Sequence, residues 1–82
     1  MRKYKQDTML LVEWDDIVEN PEWLDRDKAV EESTHRCKTL GFYLNHDAEN
    51  VRLSSTISRD QRNVIVIPLG CVRKAIKIEV KK

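Results

Sequence analysis

The chain is expected to fold as a small, mainly β domain. Five strands would close into a barrel, with one short helix inserted between the first and second strands. Three observations carry that expectation. Val and Ile together number fourteen against seven Leu and three Ala, and branched side chains suit the pleated, half-buried surface of a strand. Several stretches alternate apolar and polar residues with period two, the mark of a strand with one buried face. Finally, Pro68 and Gly70 break the most apolar run of the chain, because proline cannot donate to a ladder and glycine permits positive φ.

The elements follow in order. Met9 to Ile17 reads as the first strand, with Leu10, Val12 and Trp14 on one face and Leu11, Glu13 and Asp15 on the other. The helix is expected over about 20–34. Asn20 suits an N-cap, Pro21 suits the first helical position, and a second start lies at Asp25. Trp23, Leu24 and Val30 give it only a narrow apolar stripe. Cys37 to Leu44 reads as the second strand, with Leu40, Phe42 and Leu44 on one face and Thr39, Gly41 and Tyr43 on the other. Phe42 is assigned to the core. A polar turn from His46 to Asn50 leads into Val51 to Ile57, making a hairpin. After a polar loop at 58–63, Val64-Ile65-Val66-Ile67 is apolar on both faces and predicts the most buried strand. Ile76, Ile78 and Val80 alternate with Lys77, Glu79 and Lys81 in a half-exposed last strand. Closure of the barrel would remove the sheet edges that invite aggregation.

Size and composition set the bounds. Eighty-two residues, 40% hydrophobic and 35% charged, make one domain spanning 1–82, too apolar for a disordered tail. No apolar run approaches the ~20 residues of a membrane-spanning helix. Met9 to Val12 is too short for the apolar core of a signal peptide, so a cytoplasmic protein is expected. The net charge of +1 hides a strong asymmetry. Residues 1–12 carry +2, residues 13–34 carry −7 and residues 35–82 carry +6. Such asymmetry suits either steering of an anion to the C-terminal part or contact between the acidic segment of one subunit and the basic part of another, with a solvated mixed-charge surface as the default expectation.

The order of residues in the second half resembles the SH3-like barrels, and more narrowly the Sm-like proteins. Gly41 is followed by Asp47, and Asn50 stands just before the third strand. The run Val64 to Leu69 then ends at Gly70, before the alternating Val72, Ile76 and Ile78. The resemblance covers roughly residues 37–80. It implies a five-stranded barrel whose fourth strand pairs with the fifth strand of the next subunit, joining copies into a ring. By that resemblance the subunit edges are Val64–Ile67 and Ile76–Val80, with Val64, Val66, Ile76 and Ile78 as interface residues. Leu69 stands where the family places its RNA-contacting arginine. The Val-Glu-Trp-Asp-Asp start at Val12 and the Ile-Pro-Leu-Gly-Cys segment at Ile67 also resemble small phage and prophage proteins. A bacterial host cytoplasm follows from that provenance.

No constellation of catalytic residues stands out. Cys37, Cys71, His35 and His46 include zinc-ligand types, but their spacing matches no zinc pattern, and ~30 Å of strand separates the two histidines. Two free thiols are expected instead. Ser54, Ser55, Thr56 and Ser58 lack a nucleophile elbow, and two glycines in all preclude a glycine-rich phosphate loop. No catalytic residue, metal or cofactor is expected, and an enzyme is not. The leading expectation is an accessory binding and assembly module that forms a homo-oligomer. The alternative is binding of RNA or single-stranded nucleic acid. That reading uses Tyr43 for stacking and Arg52 for phosphate, with His46 and Asn50 beside them. The partner classes implied are a second copy, a host or phage protein, and RNA; a membrane is not among them.

Overall fold

The computed structural model describes residues 1–81. The elements in chain order are β1 (Met9–Asp16), α1 (Arg26–Ala29), β2 (His35–His46), β3 (Asn50–Ser54), β4 (Ile57–Ser58), β5 (Gln61–Arg62), β6 (Ile65–Pro68) and β7 (Val72–Lys77), with a 3-10 turn at Leu69–Cys71 between the last two strands. Five strands form one antiparallel sheet in the order β6-β3-β2-β1-β7, and β4 with β5 makes a separate two-stranded hairpin. The mainly β class is as expected.

The sheet is not closed. No ladder joins β6 to β7, so each keeps one unpaired edge. A barrel closes only when the last strand pairs with the first. Here the 3-10 turn packs against β1 and β3 and carries the chain from one edge to the other without a bonded seam. The five strands nevertheless share one core. Leu10 and Val12 of β1, Tyr43 of β2, Val51 and Leu53 of β3 and Ile67 of β6 are buried, with Tyr4, Trp14, Ile65, Val72 and Ala75 packed around them.

Register explains which face is inside. Leu10 faces Gly41, Val12 faces Thr39 and Trp14 faces Cys37 across the β1–β2 ladder. Directly opposed residues share a face, so the Gly41 and Tyr43 side of β2 joins the Leu10 and Val12 side of β1. That corrects the core assignment of Phe42. Tyr43 is 2% exposed, whereas Phe42 is only half-buried on the opposite face. Equal alternation on both faces of β2 left the choice open, and pairing with β1 decides it. The indole of Trp14 donates to Thr39 Oγ1 at 2.9 Å, which satisfies its N–H inside the same layer.

Several other expectations are corrected. The last apolar run is not the most buried strand. Ile67 is buried and Ile65 half-buried, but Val64 and Val66 are 55% and 51% exposed. The reason is position: β6 is an edge strand, paired only with β3. The expected third strand stops at Ser54, where the Asn63 side chain accepts from the N–H groups of Ser55 and Thr56. The Ser54 hydroxyl donates to the Asn63 carbonyl at 2.7 Å. Gly70 has no positive φ and simply lies in the 3-10 turn.

The segment expected as a helix over 20–34 holds a single helical turn. Asn20 begins no helix; its Oδ1 accepts from Glu22 N at 3.0 Å, and its Nδ2 donates to Glu32 Oε1 at 3.1 Å. Asp25 precedes the turn without a side-chain cap, and no residue of the turn is buried. An isolated turn that buries nothing has little to extend it. The 17–34 excursion and the long β1–β2 ladder make the molecule elongated, with extents of 52 × 28 × 23 Å and a radius of gyration of 16.0 Å. A compact chain of this length would have a radius of about 12 Å.

Candidate functional site

Three features of the sheet present side chains or unpaired backbone at the surface: the β2–β3 turn, the outer face and the two free edges.

The turn gathers the residues considered for nucleic-acid binding and uses most of them structurally. Asp47 Oδ1 accepts from Glu49 N and Asn50 N, both at 2.8 Å, and Asp47 Oδ2 meets Arg52 Nη2 at 3.0 Å. The two backbone donors are the main cause, and the Arg52 guanidinium the lesser one, that pull the Asp47 carboxyl down to about 2. Arg52 also donates to Asn45 Oδ1 at 3.1 Å. Asn50 returns a backbone bond, its carbonyl accepting from Asp47 N at 2.9 Å. His46, Asn50 and Arg52 therefore lie together at one end of the hairpin.

Tyr43 does not join them at the surface. Its ring lies in the core, edge-on to Tyr4 with centroids 5.6 Å apart, and its hydroxyl sits 2.6 Å from His46 Nδ1. A ring so enclosed offers no face for a base to stack on. The expected pairing of an exposed Tyr43 with Arg52 is corrected by burial, since the register puts the two on opposite sides of the sheet.

The outer face is organised in cross-strand rows. Leu40, Leu11 and Ile76 lie side by side across β2, β1 and β7, and Phe42 lies beside Met9 in the next row. Leu40 is exposed and the others are half-buried. Beyond them the face turns to charge. Lys38 meets Glu13 at 3.7 Å, and Asp15 holds Arg36 at 2.7 Å and Arg73 at 2.6 Å. The hydrogen bond from Arg36 is the main reason that Asp15 sits below the ordinary carboxylate range, and Arg73 adds to it. The charged half is paired within itself, three bases to two acids, and the apolar half is uncovered. Sequence reasoning passed over these rows, although the unbroken Met9-Leu10-Leu11-Val12 run signals apolar residues on both faces of β1.

The residues expected at a subunit contact fall on the two sheet margins. Val64 precedes β6 and Val66 lies in it, whereas Ile76 lies in β7 and Ile78 follows it. Within one chain the two pairs are on opposite edges. Cys37 and Cys71 are free thiols; β1 runs between β2 and the start of β7, which sets them about two strand spacings, or roughly 10 Å, apart, beyond disulfide reach. Among the described residues no group of three or more His, Cys, Asp or Glu side chains is placed to hold a metal ion. Among the described residues no helix is long and apolar enough to cross a membrane.

Compared with models of protein families, with curated proteins and with solved structures, the chain matches none.

Proposed function

We propose that this protein is a non-enzymatic binding and assembly module, of phage or prophage provenance, that works as a homo-oligomer. The observation that carries this reading is surplus surface. The chain exposes 6796 Å², whereas a folded monomer of 9.7 kDa is expected to expose about 5,100 Å². The difference, about 1,700 Å², is what two standard interfaces of about 800 Å² per partner would remove from one chain, as for a subunit with a neighbour on each side.

The free edges support one particular contact between copies. Among the five long strands, the fourth in chain order (β6) and the fifth (β7) are the sheet margins. These are the strands that the Sm-like resemblance pairs between subunits. Joining β6 of one copy to β7 of the next completes both ladders and continues the sheet. It also covers Val64 and Val66 on one side and Ile76 and Ile78 on the other. Such a head-to-tail contact closes into a ring when its rotation divides the circle, and it supplies the closure that each sheet lacks. Unpaired edges are otherwise sites of uncontrolled association.

Light scattering coupled to size exclusion tests the reading. The wild-type chain is expected to run as a homo-oligomer at tens of micromolar. Val64→Lys with Val66→Lys, both at exposed positions, should shift it to monomer with an unchanged circular dichroism spectrum. A wild-type monomer at that concentration overturns the proposal. A filter-binding titration against single-stranded RNA should show no appreciable affinity. Tight binding that weakens steeply with salt would put the nucleic-acid reading in its place.

A further inference from the structure

We propose that the acidic segment around Trp23 docks into a basic groove on a second copy of this chain, each copy supplying both halves of the contact. The inference rests on the self-association proposed above and names a second surface through which it occurs.

The groove lies between the N-terminal segment, the 3-10 turn and β7, and has a volume of about 370 Å³. Tyr4, Leu69 and Val72 give it an apolar lining, and Arg2, Arg73 and Lys74 give it positive charge; no acidic side chain lines it. Arg73 is already held by Asp15, and Arg2 lies over the Tyr4 ring with its guanidinium carbon 5.8 Å from the centroid. Among the described residues neither Arg2 nor Lys74 forms an ion pair with a carboxylate. The groove thus asks for a flat apolar group flanked by negative charge.

The chain carries such a group. Trp23 is fully exposed, on an excursion that also exposes Ile17 and Val30. A fully solvated indole is the most expensive apolar side chain to leave in water, and it is the residue most enriched at interface hot spots. Glu19, Glu22, Asp25 and Asp27 surround it in sequence, and among the described residues none of the four is paired with a base. The Asn20–Glu32 hydrogen bond joins the two arms of the excursion, and the indole between them is fully exposed. Trp23 therefore stands clear of its own chain's core.

A second copy satisfies both surfaces at once. Acidic segment meets basic groove and indole meets apolar lining, and because every chain carries both key and groove, two copies satisfy each other when they pair about a two-fold axis. The occupant is a segment of known sequence, and its charge is opposite to that of the lining.

Acrylamide quenching of tryptophan fluorescence tests this in the full-length chain. Trp14→Phe leaves Trp23 as the one indole. If that variant is poorly folded, 19F NMR of 5-fluorotryptophan-labelled wild-type protein, with the Trp23 signal assigned from Trp23→Phe, reads the same solvent exposure. Quenching of Trp23 should fall severalfold as protein concentration rises. It should return when salt is raised from about 0.05 to about 0.5 M, which shortens the reach of the charges. Lys74→Glu should restore full quenching at every concentration. Adding Glu22→Lys in the same chain should recover protection.

Light scattering on the same samples separates the two proposals. An oligomer in which Trp23 remains fully quenchable overturns the groove contact and leaves edge assembly standing. A monomer with Trp23 protected at all concentrations places the indole in its own chain's groove and overturns the second copy as occupant. A monomer with Trp23 quenchable throughout overturns both.

Discussion

A Cβ added to Gly41 would lie 2.9 Å from the carbonyl oxygen of Ser54 and 3.1 Å from Leu53 Cβ. At this point β2 comes against β3, just before the irregularity that shifts the ladder between Tyr43 and Asn45. The atoms in the way are backbone and a core Cβ, so nothing can swing aside. Gly41→Ala is expected to cost about 1–3 kcal/mol, the range for overpacking a fitted interior. Gly70 is the control. An added Cβ there meets nothing within 4 Å and the residue has no positive φ. Gly70→Ala is expected to be neutral, or to stabilise by about 0.4–1 kcal/mol through the unfolded chain. Urea denaturation of the two variants checks both; equal midpoints would contradict the close approach.

Tyr43 is expected to matter to the core and little to any surface. Tyr43→Phe removes the hydroxyl that meets His46 Nδ1 but keeps the ring. It should cost about 0.5–1.5 kcal/mol, the net worth of an ordinary hydrogen bond. Tyr43→Ala empties the largest fully buried side-chain position and should cost about 3–5 kcal/mol. Thermal unfolding of both variants measures the contrast. A Tyr43→Ala protein as stable as Tyr43→Phe would mean that the ring is not in the core.

Acid stability should report on Asp47. Its carboxyl is pulled down to about 2 by the amides of Asn50 and Glu49 and by Arg52. A carboxylate whose folded value lies below its unfolded value of about 3.9 contributes stability that is fully present above the unfolded value and lost as pH falls through the folded one. The window therefore runs from about pH 4 down to about pH 2. Asp47→Asn keeps a side-chain oxygen for the two amides and removes the titration. The wild-type advantage over Asp47→Asn should be constant near neutrality, shrink across that window and vanish below it. Circular dichroism melts at stepped pH follow the difference, and an advantage that persists below pH 2 would contradict the assignment.

Much of this fold was legible in the chain, and what was not has identifiable causes. The alternation of Leu10, Val12 and Trp14, and of Val51 and Leu53, marked two strands and grouped on one face the residues that the structure packs in the core. β2 carries apolar residues on both faces, so its inner face depended on the Gly41–Leu10 pairing, a long-range fact no local pattern contains. The Val64–Ile67 run looked buried because nothing local distinguishes an edge strand from a central one. Asn20 with Pro21 carries a helix-start signal, yet the residues after it offer only the narrow stripe of Trp23, Leu24 and Val30 to pack, and packing makes most short helices stable. Of the candidate site, the clustering of His46, Asn50 and Arg52 was readable from the hairpin. The β7 groove was not, since it joins Arg2 to Lys74 across nearly the whole chain.

One ion pair ties the N-terminal segment to the β4–β5 hairpin, at a residue with a left-handed backbone. Asp7 has φ of 68°, in the left-handed region, and its carboxylate meets Arg62 Nη2 at 2.8 Å and Nε at 3.2 Å. Its N–H donates to the Tyr43 carbonyl at 2.7 Å, which fixes the backbone in that conformation. Two effects can be separated by substitution. Asp7→Asn tolerates the left-handed backbone about as well and loses only the charge, so its deficit against wild type should shrink in about 1 M salt, where exposed pairs are screened. Asp7→Ala loses the charge and also bears the left-handed penalty of about 1 kcal/mol that Asn largely escapes. The gap between Asp7→Ala and Asp7→Asn should therefore persist in high salt. Chemical denaturation in low and high sodium chloride reads both differences. If the gap closes with salt while the Asp7→Asn deficit does not, the roles assigned to backbone and charge are reversed.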